Sequence, residues 1–461
     1  MNSPFDEATY KALLEGLEVS EVKFSKLREY IFGSNFNSTT KQKALDTIKS
    51  THKVSDYFTF HSDIVKDLSN VTSYDLTHTL GNFLHEVDIS EHIDKTRKLA
   101  KQGDFIISRL RSYLKEFAVV QKYKETQVFS TEYLVYRPKT TKISSHTLLA
   151  FCLTEQVQTI LNCSQYGTEH PRFYEFVFDE LPLPDCLFVL NEKINGLFDT
   201  AYKKRDHSQS LYRQAESLLL QEIGLQDFVP SSEKCNIKSF KESFLATGRL
   251  DAEYYQRKYE DIEKIIKIHP CETVENICTH INYGSVPTSP YTEDGEGIPY
   301  IKGMNLKNLK ITGDLDRLIN TDALPEKVFT KEDDIIISQM GTVGDVGIIS
   351  KADVGYIFAS FTIRIRIKDK SKYNPYYVGL YIQNVAKQWY LLRNIAQASV
   401  RQNTDLPTIK NMYIPFISIE IQQQIAALIT ESFRLREESE RLLEQAKAAV
   451  EQEIERESEC L

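Results

Sequence analysis

The seven cysteines in 461 residues form no Cys-x-x-Cys pair, and their number is odd. That excludes a disulfide framework and a zinc ribbon, and reads as reduced thiols of a cytoplasmic protein. No stretch of about 18 uncharged apolar residues occurs, as a spanning helix would need. The opening MNSPFDEATYKALLEG has no basic start followed by an apolar core, so neither secretion nor a membrane is expected. With 18 Gly and 14 Pro, the chain is too poor in both for a collagen-like or low-complexity segment. Instead, 41% hydrophobic and 26% charged residues describe a globular chain, long enough for roughly two to four domains.

A net charge of −9 argues at first against a nucleic-acid partner, but the charge is unevenly spread. Residues 420–461 hold 11 acidic and 5 basic groups, a local balance of −6. Residues 360–415 hold 9 basic and 2 acidic groups (+7), and residues 101–145 hold 9 and 4 (+5). Two basic islands in an acidic chain suit an anionic partner.

The spacing of the islands prompts a search for an internal repeat. Gly103-Asp104-Phe105-Ile106-Ile107-Ser108 matches Asp333-Asp334-Ile335-Ile336-Ile337-Ser338 at an offset of 230, and Leu181-Pro182-Leu183 matches Ile414-Pro415-Phe416 at 233. Ile194/Ile425, Leu197/Leu428, Leu211/Leu442 and Ala215/Ala446 follow at 231. Each half ends in apolar residues at steps of three and four, which predicts two long amphipathic helices pairing as an antiparallel coiled coil. Ile194, Leu197, Leu211, Leu218, Ile425, Leu428, Leu442 and Val450 are the seam and partner-docking candidates. The fold class expected is α+β. Two globular domains (1–185 and 226–417) would each be followed by a long spacer helix (186–225 and 418–461). Residues 31–100 carry no clear periodicity, and there the correspondence between the halves fades.

Three glycines, Gly341, Gly344 and Gly347, lie between two apolar strands in IIISQMGTVGDVGIIS. Without Gly-Lys-Ser/Thr this is no Walker loop. Either it is a plain hairpin, or its backbone, Gln339 and Thr342 face phosphates or base edges. In the first half the same place carries Arg109, Arg111 and Lys115. Arg401-Gln402-Asn403, expected between a helix ending near Ile395 and a strand at Leu406, has side chains able to read guanine and adenine, although such triplets also arise by chance. Its counterpart is His170-Pro171-Arg172. Asn374-Pro375-Tyr376-Tyr377 lacks the second proline of an amino-methyltransferase loop. Pro184-Asp185 with Asn191-Glu192-Lys193 does not form a nuclease carboxylate array, and no metal-ligand set emerges. The chain reads as non-catalytic, with no cofactor of its own.

The strings GDFIISRLRSYLKEFAVV (103–120), STEYLVYRPK (130–139), GRLDAEYY (248–255), IPYIKGMNL (298–306), DDIIISQMGTVGDVGII (333–349) and LPTIKNMYIPFISIEIQQQIAALI (406–429) together resemble specificity subunits of type I restriction-modification systems. The resemblance implies two DNA target-recognition domains, each reading half of a bipartite duplex site. The paired helices would serve as spacer and docking surface for two modification methyltransferase subunits. AdoMet, ATP and Mg would sit only on partner subunits, and restriction translocases could join. Lys302, Arg364, Arg366 and Lys368 become phosphate-contact candidates beside the residues above. The competing reading is a non-catalytic scaffold or regulatory protein of a defence complex without sequence-specific DNA binding.

Overall fold

The computed structural model describes residues 22–459 except 86, 122–125, 234, 293–294, 320, 322–323 and 396–402. The chain is a mixed α/β protein that divides into two compact units, Met1–Arg205 with Glu437–Leu461, and Asp206–Arg436.

The first unit is built on a four-stranded antiparallel sheet in the order Phe58–His61, Tyr133–Pro138, Phe105–Ser108, Phe117–Val119. The inner strand Phe105–Ser108 is apolar up to Ser108 because both its faces are covered. Phe105 and Ile107 face a core shared with helices Ser145–Cys152 and Glu155–Cys163, whereas Ile106 turns to Tyr74, Phe129 and Val135 on the other side. Tyr74 and Phe129 belong to a five-stranded sheet in which Leu68–Tyr74 runs parallel to Gln127–Phe129. Within the stretch without periodicity, residues 31–100, lie four short strands of this second sheet: Ile64–Val65, Leu68–Tyr74, Ile89–Ile93 and Arg97–Leu99.

The second unit has a four-stranded antiparallel sheet in the order Cys278–Tyr283, Thr362–Ile367, Ile335–Ser338, Val346–Ile348. Ile335 and Ile337 face Tyr377, Tyr381 and Trp389, and Ile336 faces Tyr300, Ile301 and Phe358. A smaller sheet again joins one parallel pair, Ile298–Ile301 beside Ile357–Phe358. The helix expected to end near Ile395 is present as Pro375–Tyr381, Ile382–Leu391 and Leu392–Asn394, with Ile382–Leu391 wound in wide π-type turns. At Leu406 the expectation of a strand is corrected. Asp405 caps a short helix, Leu406–Lys410, by accepting from the Thr408 N–H, and Pro407 sits in its first turn, where proline lacks no needed donor. The strand comes afterwards, at Tyr413–Pro415.

The two long helices are Cys186–Glu222 and Ile419–Glu459. Each unit contains a part of both. In the first, Ser439 Oγ donates to the Ala201 carbonyl at 2.7 Å and Lys204 pairs with Glu438 at 2.6 Å. In the second, Ser432 Oγ donates to the Ser208 carbonyl at 2.8 Å, beside the buried Ala215, Leu219, Ile425 and Ile429. Rising numbers on one helix meet falling numbers on the other, so the segments run antiparallel within each unit. This burial corrects the expected docking role of the stripe. Ile194, Ile425 and Val450 are fully buried, and Leu197, Leu211, Leu218, Leu428 and Leu442 half-buried, inside the chain's own packing. The three fully buried ones have no face left for a separate subunit. Gly196, exposed in the first helix with no atom within 4 Å of an added Cβ, carries only the entropy cost of glycine. Gly196→Ala is expected to stabilise the protein by about 0.5–1 kcal/mol in thermal or urea unfolding.

Candidate nucleic-acid interface

At one end of each four-stranded sheet the chain makes the same backbone arrangement. In the first unit the Arg109 N–H donates to the Glu132 carbonyl at 3.2 Å, the Phe173 N–H donates to the Arg109 carbonyl at 3.0 Å, and Leu110 bridges Arg172. In the second, the Gln339 N–H donates to the Phe361 carbonyl at 3.0 Å, the Thr404 N–H donates to the Gln339 carbonyl at 3.1 Å, and Met340 bridges Asn403. Arg109, Glu132 and Arg172 therefore stand where Gln339, Phe361 and Asn403 stand. The structure brings together candidates some sixty residues apart in the sequence. It also adds Glu132 and Phe361, which sequence reasoning missed.

The side chains on these two frames differ. Glu132 accepts from Arg109 Nε at 3.2 Å and from Arg172 Nε and Nη2 at 3.0 and 2.7 Å, while Arg109 Nη1 reaches Glu175 at 2.6 Å. The bidentate Arg172 bonds, followed by those of Arg109, hold the Glu132 carboxyl below its usual range against the opposing effect of burial. Two arginines and two glutamates cancel, so Arg109 and Arg172 are not free cations for phosphate, as the sequence had suggested. Arg111 donates to the Glu169 carbonyl and to His170 Nδ1, at 3.3 and 3.2 Å. Lys115, exposed and in the left-handed region at φ 53°, is the most open cation of the group.

On the second frame the set is neutral: Gln339 and Asn403 are half-buried, and Phe361 is 57% exposed. Arg401 and Gln402 lie outside the described residues. The glycine hairpin is present, but Thr342 and Gly344 donate their backbone N–H groups within it, to Met340 and Ser338. Gly344 is buried, and a Cβ on Gly347 would come within 2.5 Å of Ile311. The loop is packed as a hairpin rather than opened as a phosphate cradle, and only the Thr342 side chain faces solvent.

Two basic candidates are corrected outright. Arg364 is 1% exposed, with Nη2 on Asn282 at 2.6 Å and Nη1 3.5 Å from Asp334. Arg366 makes a bidentate pair with the same buried Asp334, at 2.6 and 2.7 Å. Both serve the core, and a phosphate would have to displace a carboxylate to reach them. Lys302 pairs with Asp316 and lies 4.2 Å from the Tyr291 ring centroid. Lys368 is exposed, as a phosphate contact requires. Among the described residues no cluster of three His, Cys, Asp or Glu could hold a metal ion.

Residues 273–448, which include the second sheet and the backbone frame at its end, match the family model described as the type I restriction modification DNA specificity domain. By this match, residues 273–448 are similar to a type I DNA specificity domain. The chain is also 24% identical over 228 residues to the type I restriction enzyme EcoBI specificity subunit of Escherichia coli, an alignment covering 46% of this chain and 47% of the relative. The chain thus spans about half the length of that curated relative. Among solved structures it is similar to the HsdS subunit of Thermoanaerobacter tengcongensis (14% identity, 88% of this chain and 96% of the other, TM-score 0.30). It is also similar to the type I restriction-modification S subunit of M. genitalium (11% identity, 88% and 94%, TM-score 0.43). The matched segment contains Gln339, Phe361 and Asn403 on one frame, next to the packed hairpin. Among the described residues no helix is long and apolar enough to cross a membrane.

Proposed function

We propose that this chain is the specificity subunit of a type I restriction-modification system, a non-catalytic protein that reads a bipartite duplex site and directs methyltransferase subunits to it. The observation that carries the reading is the specificity-domain match over residues 273–448, most of it in the second unit, joined to a first unit that repeats the same end-of-sheet frame with different side chains. In this reading the units are two copies of one plan. Each copy reads a different half-site, and the long helices pair as an antiparallel coiled coil that spaces them. The partner subunits, two methyltransferases and in the full complex the translocating nucleases, carry AdoMet, ATP and Mg. Docking then falls to surfaces other than the buried apolar stripe.

Duplex affinity measured against salt tests this. Log Kd should rise linearly with log salt, with a slope reporting several phosphate contacts. Lys115→Glu and Lys368→Glu should each weaken all sequences alike and lower the slope by about one. Absence of duplex binding at low salt would favour the scaffold reading. Methyl transfer or cleavage by the purified chain alone would contradict its non-catalytic role.

A further inference from the structure

We propose that Glu132 and Phe361 are specificity-determining residues at the centres of the two reading frames, Glu132 accepting a hydrogen bond from a base amino group and Phe361 covering a thymine methyl. The inference rests on the duplex-reading function above and names the chemistry each half of the protein applies to its bases.

Position in the fold makes the two residues counterparts. The sheets end with Ser108 paired to Tyr133 and Ser338 paired to Thr362, and the next residue outward is Glu132 in one and Phe361 in the other. Each has its carbonyl fixed by the N–H of the residue across, Arg109 or Gln339. Beside each stands a bridged residue with base-reading chemistry, Arg172 or Asn403.

At Glu132 the carboxylate is partly exposed, at 24%, and held by three N–H bonds from two arginines. A carboxylate has about four acceptor sites, so roughly one remains, in a fixed orientation. Carboxylate repels phosphate but accepts from cytosine N4 or adenine N6 on the major-groove edge. The arginines offset its charge, so it can approach DNA without a net penalty.

The Phe361 side chain has nothing to donate or accept, and the residue is 57% exposed at the tip of a strand. A lone exposed aromatic would need no explanation. This one has company: Met304, 73% exposed, follows Gly303, whose added Cβ would lie 2.7 Å from Ser338 Oγ at the same sheet end. Two open apolar side chains at the sheet end that carries Gln339 suit the methyl that distinguishes thymine in the major groove.

The test is selection of duplexes from a randomised pool by the full chain, free and with its methyltransferase partners, followed by sequencing and competition. Glu132→Gln should change the preferred base at one position of one half-site, by roughly five- to 150-fold, leaving the other half-site alone. In the other half-site, replacing one thymine by deoxyuridine should weaken wild-type binding about fourfold, the worth of one buried methyl, and should not weaken Phe361→Ala further. The uracil arm on wild-type protein needs no variant, so it decides even if a substitution impairs folding. If Glu132→Gln keeps every preference, or wild-type protein ignores uracil at every thymine, the assignment of that residue is overturned. A chain that selects a site unaffected by all these changes overturns this inference alone. One that binds no duplex overturns the proposed function with it.

Discussion

Asp334→Ala is expected to destabilise the second unit by about 3–5 kcal/mol, the cost of leaving buried cations without their carboxylate. Asp334 is fully buried and holds Arg366 by two bonds, lies 3.5 Å from the fully buried Arg364, and accepts from the Lys331 N–H at 2.8 Å. Burial pulls the Arg364 guanidinium below its usual value, and Asp334 is the largest influence pulling it back. Its counterpart Asp104 caps Lys101 in the same way but holds Arg137 alone, whose side chain is 28% exposed. Where the second sheet pairs Arg364 with Ile336, the first pairs Val135 with Ile106. Asp104→Ala should therefore cost less than Asp334→Ala, and the pair Asp334→Ala with Arg364→Val should recover part of the loss. Urea unfolding of the full chain, followed by probes in each unit, checks this. Equal losses at the two aspartates would show that Arg364 does not set the difference.

Gly284→Ala should have an effect of similar size and a functional consequence. A Cβ at Gly284 would sit 2.0 Å from the Phe358 carbonyl oxygen and 2.3 Å from that of Ala359, both backbone atoms. The two segments are tied by Ser285 N–H to Phe358 O, Ser360 N–H to Ser285 O, and the Ser285–Ala359 bridge. Neither side can yield without moving the other, so the cost should exceed the about 1–3 kcal/mol of ordinary overpacking. The strand that must move leads into Phe361. Recognition of one half-site should fail, with the other retained, in binding measured on duplexes carrying each half-site. A Gly284→Ala protein as stable as wild type would mean that the close approach relaxes at little cost.

How much of this was legible in the sequence depended on whether similarity of place came with similarity of residue. The central strands at Phe105–Ser108 and Ile335–Ser338 were readable, since burial on both faces demands an apolar run in each. Both long helices were readable from their 3-4 stripes. The strands leading into each sheet were not. Val54 N–H donates to Leu181 O much as Val274 N–H donates to Met412 O, ahead of Phe58–His61 and Cys278–Tyr283. Here the offset has slipped from 230 to 220, because the stretch between this strand and the central one differs in length. Arg364 and Arg366 misled because arginine in a basic island looks like surface, and only the sheet register reveals the buried Asp334 that claims both. Glu132 and Phe361 were missed for the opposite reason. They share a place but no chemistry, and the signal that finds them is the register one residue beyond Tyr133 and Thr362.

The central claim is that one chain reads two different half-sites. Selection of duplexes from a random pool by the full chain with its methyltransferase partners, followed by sequencing, addresses it directly. The expected result is a single bipartite motif, two dissimilar short sequences separated by a fixed unread gap, with changes in the first unit altering one half and changes in the second altering the other. Recovery of one continuous motif, or of no motif above the random background, would contradict it.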